Sequence, residues 1–347
     1  MSSEKIKFQI TDPELIRGIE SRLSIALDTS VWFNLTEEVN DQVKRVKMLL
    51  IDLVNRGTIF CPLTFSGIAE LLKRTYQNAL EVAALMDEFS LGVSFASDET
   101  IYRKEIERLL LNAIYGEEHF LEKYEVYVPV MGWLGAGGSL DFPQEFPGSS
   151  DDRKKFTDSF AEILKSKKIS DIVRLFNDLL PLPDVVNQPN YDWKTRWEEN
   201  QGNKKKLREL EKQAVLTRVI DGIKEETTLE SPEQTIVFKL RARDYINSLP
   251  KDKDGTCATA VLERMPAHKN MVEVMTFTGF DPNRTDKMND FYDIQLMIIP
   301  MTYASVVVAT DRWIRELMKS HGKTLHHRSA KYIGDWSEFE NYLSALS

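Results

Sequence analysis

The sequence predicts an α/β protein: a three-layer α/β/α core with a central, mostly parallel sheet, plus a large helical insertion. Three observations predict it. Two runs, Ser24-Ile25-Ala26-Leu27-Asp28 and Ser305-Val306-Val307-Val308-Ala309-Thr310-Asp311, are apolar without alternation and close on an Asp. Uninterrupted apolar strands are those of a parallel sheet buried on both faces. Short strands also alternate with amphipathic helices over the first 115 residues. The texture changes near Gly116, after which helix and loop patterns dominate to about residue 265.

Taken in order, Ser24 to Asp28 reads as the first strand. Asp41 to Asn55 is an amphipathic helix with Val43, Val46, Leu49, Leu50, Leu53 and Val54 on its apolar face, ended by Gly57. Thr58 to Cys61 is a short strand, and Pro62 or Thr64 opens a helix through Leu72. Asn78 to Phe89 is a further helix. Val93 to Phe95 is a third strand, after which Ser97 or Asp98 caps a helix from Glu99 to Ala113. Glycines and prolines between residues 131 and 150 mark a loop. Residues 151 to 249 read as mostly helix, broken by Pro181, Pro183 and Pro189. Val272 to Phe277 reads as an edge strand or as part of a helix. Asp290 to Ile299 is apolar at helical spacing and stops at Pro300. The strand Val306 to Ala309 and a helix from Arg312 to Ser320 follow. The domain reading is therefore a first half of the core over residues 1–115, an insertion over 116–265, and a second half with a C-terminal tail over 266–347.

The 347 residues are 42% hydrophobic and 29% charged, enough to bury a sizeable core without staples. Cys61 and Cys257 show no metal or redox spacing, which fits a reducing cytoplasm. The longest apolar stretch, Ile294 to Thr310, is interrupted by Gln295, Pro300, Thr302 and Ser305. It reads as helix, turn and strand, so no membrane span is expected. A net charge of −9 argues against a generic nucleic-acid coat, but a local basic patch is all that holding a phosphate requires.

Four carboxylates stand out by position. Asp28 and Asp311 end strands, Glu70 lies one to two turns into the helix after the second strand, and Asp293 opens the helix before the last strand. Asp290 lies one turn before Asp293 on the same face. In a parallel sheet, strand ends and following helix starts share one edge, where ligands bind. Clustered carboxylates resist ionisation unless a cation joins them. Mg²⁺ or Mn²⁺ answers that need with oxygen ligands and activates water against a phosphodiester.

These residues resemble the PIN-domain nucleases. The resemblance rests on Asp28-Thr29-Ser30 after the first strand and on Ile68-Ala69-Glu70-Leu71 on the following helix. It rests too on Asp293-Ile294-Gln295-Leu296 leading, 18 positions on, to Thr310-Asp311. Asn289-Asp290-Phe291-Tyr292-Asp293 is similar to a double-Asp variant of larger members. It covers about residues 22–113 and 286–320; the insertion has no counterpart in small members. The resemblance implies a metal-dependent endoribonuclease whose catalytic acids are Asp28, Glu70, Asp293 and Asp311; the metal ligand on the helix before the last strand is Asp293, Asp290 or both. Its products would carry 5′-phosphate and 3′-hydroxyl ends, with no histidine general base. Arg312 and Arg315 read as substrate contacts beside these acids, and the hydroxyls of Thr29, Ser30 and Thr310 read as contacts to substrate phosphate or a metal water, or as helix caps. A toxin or defence role is the expectation by analogy. A DNA nuclease and an inactive scaffold that binds RNA or protein stay open as alternatives. So do a homo-oligomer and a regulatory protein partner.

Other signals have competing readings. An Asp after a strand is commonly a helix cap. Glu105 is a weaker candidate for the acidic site. The basic stretch Arg312, Arg315, Lys319, His321, Lys323, His326, His327, Arg328 and Lys331 reads as a phosphate track or as a solvated face. Gly132 to Gly138 lacks the Gly-Lys-Ser/Thr ending of a phosphate loop. Tyr191, Trp193 and Trp197 lie near Lys194, Arg196 and Lys204 to Lys206, where they read as core packing or as stacking partners for bases.

Overall fold

The computed structural model describes residues 10–116, 120–130, 168–175, 198–199, 201–225, 232–278, 288–326 and 330–347. The strands are β1 (Leu23–Leu27), β2 (Ile59–Phe60), β3 (Val93–Phe95), β4 (Tyr127–Pro129), β5 (Val306–Val308) and β6 (Lys331–Ile333). In the first part of the chain the helices are α1 (Pro13–Ser21), α2 (Thr29–Glu37), α3 (Asp41–Asn55), α4 (Phe65–Leu71), α5 (Tyr76–Phe89) and α6 (Asp98–Tyr115). Then come α7 (Ile169–Leu175), α8 (Lys204–Glu225), α9 (Pro232–Ser248), α10 (Ala258–Glu263) and α11 (Pro266–Thr278). The last are α12 (Met288–Tyr303), α13 (Arg312–His321) and α14 (Trp336–Ser344).

A four-stranded parallel sheet runs in the order β2-β1-β5-β6. β3 continues it beyond β2: Leu63 and Ser94 form a parallel bridge, and the Phe95 amide donates to the Leu63 carbonyl at 2.8 Å. β4 closes that side, antiparallel to β3. From β1 the chain moves outward through β2 and β3. It returns far later in sequence as β5, on the other side of β1. Strand order therefore reverses between β1 and β5.

The central strands are apolar because both faces of the sheet are covered. Ile25 and Leu27 of β1, with Val306 and Val308 of β5, face one core. There they meet α2, α3, α5 and α14 through Trp32, Leu50, Phe89 and Phe339. Ala26 and Val307 face the other core, with Ile19 of α1, Met297 of α12 and Ile314 of α13. The register pairs Ile25 with Val306 and Leu27 with Val308, so like faces stay aligned. A third cluster joins Leu109 and Leu110 of α6 to Val215 and Val219 of α8, Ala242 and Ile246 of α9, and Val261 of α10. The described part of the proposed insertion is thus largely helical and stands on α6.

Several expectations are corrected. Pro300 does not stop its helix; α12 continues to Tyr303. A proline removes one amide donor and crowds the preceding turn. Here Ile298, Ile299, Met301 and Tyr303 are buried around it, and tertiary packing offsets that local cost. Val272 to Phe277 is helix, inside α11. The sequence reading assigned no element to α1, α2, β4, β6 or α14. Among the described residues no helix is long and apolar enough to cross a membrane. Cys61 and Cys257 are both buried and free. The segments Gly132 to Gly138 and Tyr191 to Trp197 lie outside the described residues.

Candidate functional site

The site is built on the reversal between β1 and β5. The Asp28 amide donates to the Val308 carbonyl at 2.9 Å, so Asp28 extends the β1–β5 ladder by one position. Asp311 leaves β5 three residues after Val308, at the same sheet edge. Each Asp is extended in backbone and caps a helix. Asp28 Oδ1 accepts from the Thr29 amide at 2.7 Å, and its Oδ2 accepts from the Ser30 hydroxyl at 2.5 Å. Asp311 Oδ1 accepts from the Trp313 amide at 2.5 Å and the Ile314 amide at 3.3 Å. α2 and α13 thus begin at this edge and direct the positive ends of their dipoles toward it.

Burial, opposed by the Ser30 and Thr29 hydrogen bonds, raises the Asp28 carboxyl above its ordinary value; the Asp311 charge adds to the rise. Glu70, half-buried on α4, is also raised, first by burial and further by the charge of Asp28. The Thr29 side chain lies beside Glu70 and favours its charged form. Beyond Glu70, the buried Thr29 hydroxyl has no hydrogen-bond partner among the described residues. It is a polar group held between two acids with unused capacity.

Asp290 and Asp293 lie in the first two turns of α12, which packs against α4, the helix bearing Glu70. Their side chains lie outside the described residues. Thr310 is half-buried between β5 and Asp311, and Ser30 is exposed.

Tyr332 of β6 is a neighbour that sequence reasoning missed. Its hydroxyl donates to the Ala309 carbonyl at 2.9 Å. Burial raises its pKa, Arg315 opposes the rise, and the charges of Asp311 and Asp28 add to it. No sequence signal marked it, because it lies on a three-residue strand in a stretch read only for its charge.

Two candidates fall away from the site. Glu105 is buried elsewhere. Its carboxylate accepts from the Ala267 amide at 2.7 Å, the His268 amide at 3.2 Å and the Tyr303 hydroxyl at 2.5 Å, and pairs with His268 Nδ1 at 2.7 Å. It anchors the start of α11 from the side. His321 leaves the basic track for the interior, where its Nδ1 meets Glu273 Oε2 at 3.1 Å. The same oxygen takes the Arg208 guanidinium at 2.7 Å, which ties α8 to α11. Lys319 pairs with Glu316 and Lys331 with Glu338. Arg312 and Arg315 remain exposed beside Asp311.

Among the described residues no three His, Cys, Asp or Glu side chains stand together as ready ligands for one ion. The charge of Asp311 acts on Asp28, and that of Asp28 on Glu70. Mg²⁺ usually keeps several waters and binds through one or two carboxylates. Raised acids, a spare buried hydroxyl and two helix starts fit a hydrated divalent cation with a phosphate. The chain is a mixed α/β protein with a parallel four-stranded sheet. No family model matches the chain, and neither a curated protein nor a solved structure was found similar to it.

Proposed function

We propose that this protein is a PIN-like, divalent-metal-dependent nuclease that hydrolyses phosphodiesters, with RNA as its substrate. The observation that carries the reading is the placement of Asp28 and Asp311 just beyond the ends of neighbouring parallel strands where strand order reverses. Asp28, Asp311 and Glu70 would hold Mg²⁺ or Mn²⁺, with Asp290 and Asp293 supplying the face on α12. When bound, the ion supplies charge neutralisation at the phosphate and a more acidic water. Arg312 and Arg315 draw the backbone of the nucleic acid toward the acids. Ser30 fixes the Asp28 carboxylate, and Thr29 offers its hydroxyl to a water or phosphate oxygen. Thr310 has a second hydroxyl at the same edge.

A second reading, an inactive scaffold that binds RNA or protein, is favoured by one observation: both strand-end acids already serve as helix caps. One assay separates the readings. Structured RNA, unstructured RNA and single-stranded DNA are incubated with wild type, Asp28→Asn and Asp311→Asn, in Mn²⁺ or in chelator. The nuclease reading expects wild-type cleavage of RNA in Mn²⁺ alone, with at least a hundredfold loss in either variant. Cleavage that survives chelator or both substitutions would sink it. Cleavage of DNA alone would move the substrate.

A further inference from the structure

We infer that a cleft at the ends of β2 and β3 is a pocket for one nucleobase, shaped for the Watson–Crick edge of guanine. The identity of the ligand as a nucleotide rests on the nuclease reading; the pocket's chemistry does not. The cleft has a volume of about 240 Å³. That is below the ~300 Å³ at which pockets for drug-sized ligands begin, and suits a single ring system. Phe65, Phe95, Ile299 and Pro300 provide apolar and aromatic wall, while Asp98, Glu99 and Gln295, with the hydroxyl residues Thr64 and Ser97, contribute polar groups. Apolar walls with few convergent polar groups are the composition of a ligand pocket. A half-buried phenyl ring such as Phe65 is a stacking surface for a base.

Asp98 selects the base. Burial raises the pKa of its carboxyl to about 7, and the Gln295 side chain opposes the rise. Above about pH 7 the group is ionised and presents two acceptor oxygens side by side. Guanine alone among the four common bases presents two adjacent N–H donors, N1–H and the exocyclic amine, on that edge. Adenine and cytosine each present a donor next to an acceptor, and uracil flanks its one donor with acceptors.

The location links the cleft to the acids. β3 lies two strand positions from β1, about 10 Å at the usual spacing, and both strands end at the same edge. α4 carries Phe65 at its start and Glu70 near its end. Five residues of helix span roughly 7.5 Å. A nucleotide whose base fills the cleft therefore reaches toward Asp28 with its phosphate.

The test is calorimetric titration of the full chain with GMP, AMP, CMP and UMP in chelator, above the pH at which Asp98 ionises; the chelator removes any need for cleavage. GMP is expected to bind at least tenfold more tightly than the other three. Asp98→Asn replaces an acceptor oxygen with a donor and should abolish that preference. Phe65→Ala should weaken all four, and Asp28→Asn should leave the preference unchanged. Equal affinities for the four nucleotides, no binding of any, or a guanine preference that survives Asp98→Asn would overturn the inference. Guanine-selective binding without RNA cleavage would support the pocket and count against the nuclease reading. RNA cleavage in Mn²⁺ with no guanine selectivity would do the reverse.

Discussion

Asp28 and Asp311 end two strands that pair with each other, and each carboxylate caps the helix that begins behind it. One carboxylate thus has two tasks, fixing a helix start and presenting charge at a sheet edge, and the two can be separated by substitution. Asn caps a helix about as well as Asp but carries no charge. Asp28→Asn and Asp311→Asn should therefore leave the melting temperature of the metal-free protein unchanged or raised. Asp28→Ala and Asp311→Ala should each cost about 1 kcal/mol through the lost cap. Calorimetric melting of the four variants checks this. A large loss in the Asn variants would make the charge itself structural.

The same acids set a pH dependence. Asp28 and Glu70 both hold their protons more firmly in the folded state than their ordinary values imply. Their contribution to stability is therefore fully present below the ordinary carboxylate range and is lost as pH rises through the raised folded values. Between about pH 4 and neutrality the metal-free wild type should lose stability relative to Asp28→Asn. Mn²⁺ should restore it at neutral pH, because the ion competes with protons for the same oxygens. Urea denaturation across that range, with and without Mn²⁺, checks the sign.

Asp98 gives a separate signature. Its pKa rises from 3.8 to about 7 because burial desolvates it. The protonated form is favoured by the fold, so its contribution is present below the ordinary value and lost as pH climbs through about 7. Asp98→Asn should be more stable than wild type at mildly alkaline pH and should match it at acid pH. Urea midpoints at two pH values suffice; a gap that does not change with pH would contradict the assignment.

Glu105 separates structure from chemistry. It accepts three hydrogen bonds and pairs with His268, and its side chain is 1% exposed. Glu105→Ala leaves the α11 amides and the Tyr303 hydroxyl without a buried partner and should cost about 3 kcal/mol or more. Mn²⁺ affinity in whatever folded protein remains should be unchanged. A loss of metal binding without a loss of stability would return Glu105 to the acidic site.

The core of this fold was legible where local and tertiary signals agree. The valine run of β5 and the Ile-Ala-Leu run of β1 are buried on both faces, so their sequences are apolar at every position. α3 has both a capping Asn40 and an amphipathic stripe. α2 was not legible: Val31, Trp32 and Leu35 are buried, but the helix has only nine residues and its cap is the same Asp28 that reads as a ligand. β6 is three residues long, and its Lys331 reads as part of a basic stretch rather than as strand. The strand-end positions of Asp28 and Asp311 were legible because strand ends and helix starts share one sheet edge. The removal of Glu105 and His321 was not, since only the packing of α11 decides which way those side chains turn.

The most direct measurement of the central claim is a calorimetric titration of Mn²⁺ into metal-free wild type, Asp28→Asn and Asp311→Asn. Saturable binding by the wild type, weakened at least tenfold in each variant while the variants stay folded, is the predicted result. Absence of binding in the wild type, or equal binding by all three proteins, would contradict a metal site shared between the ends of β1 and β5.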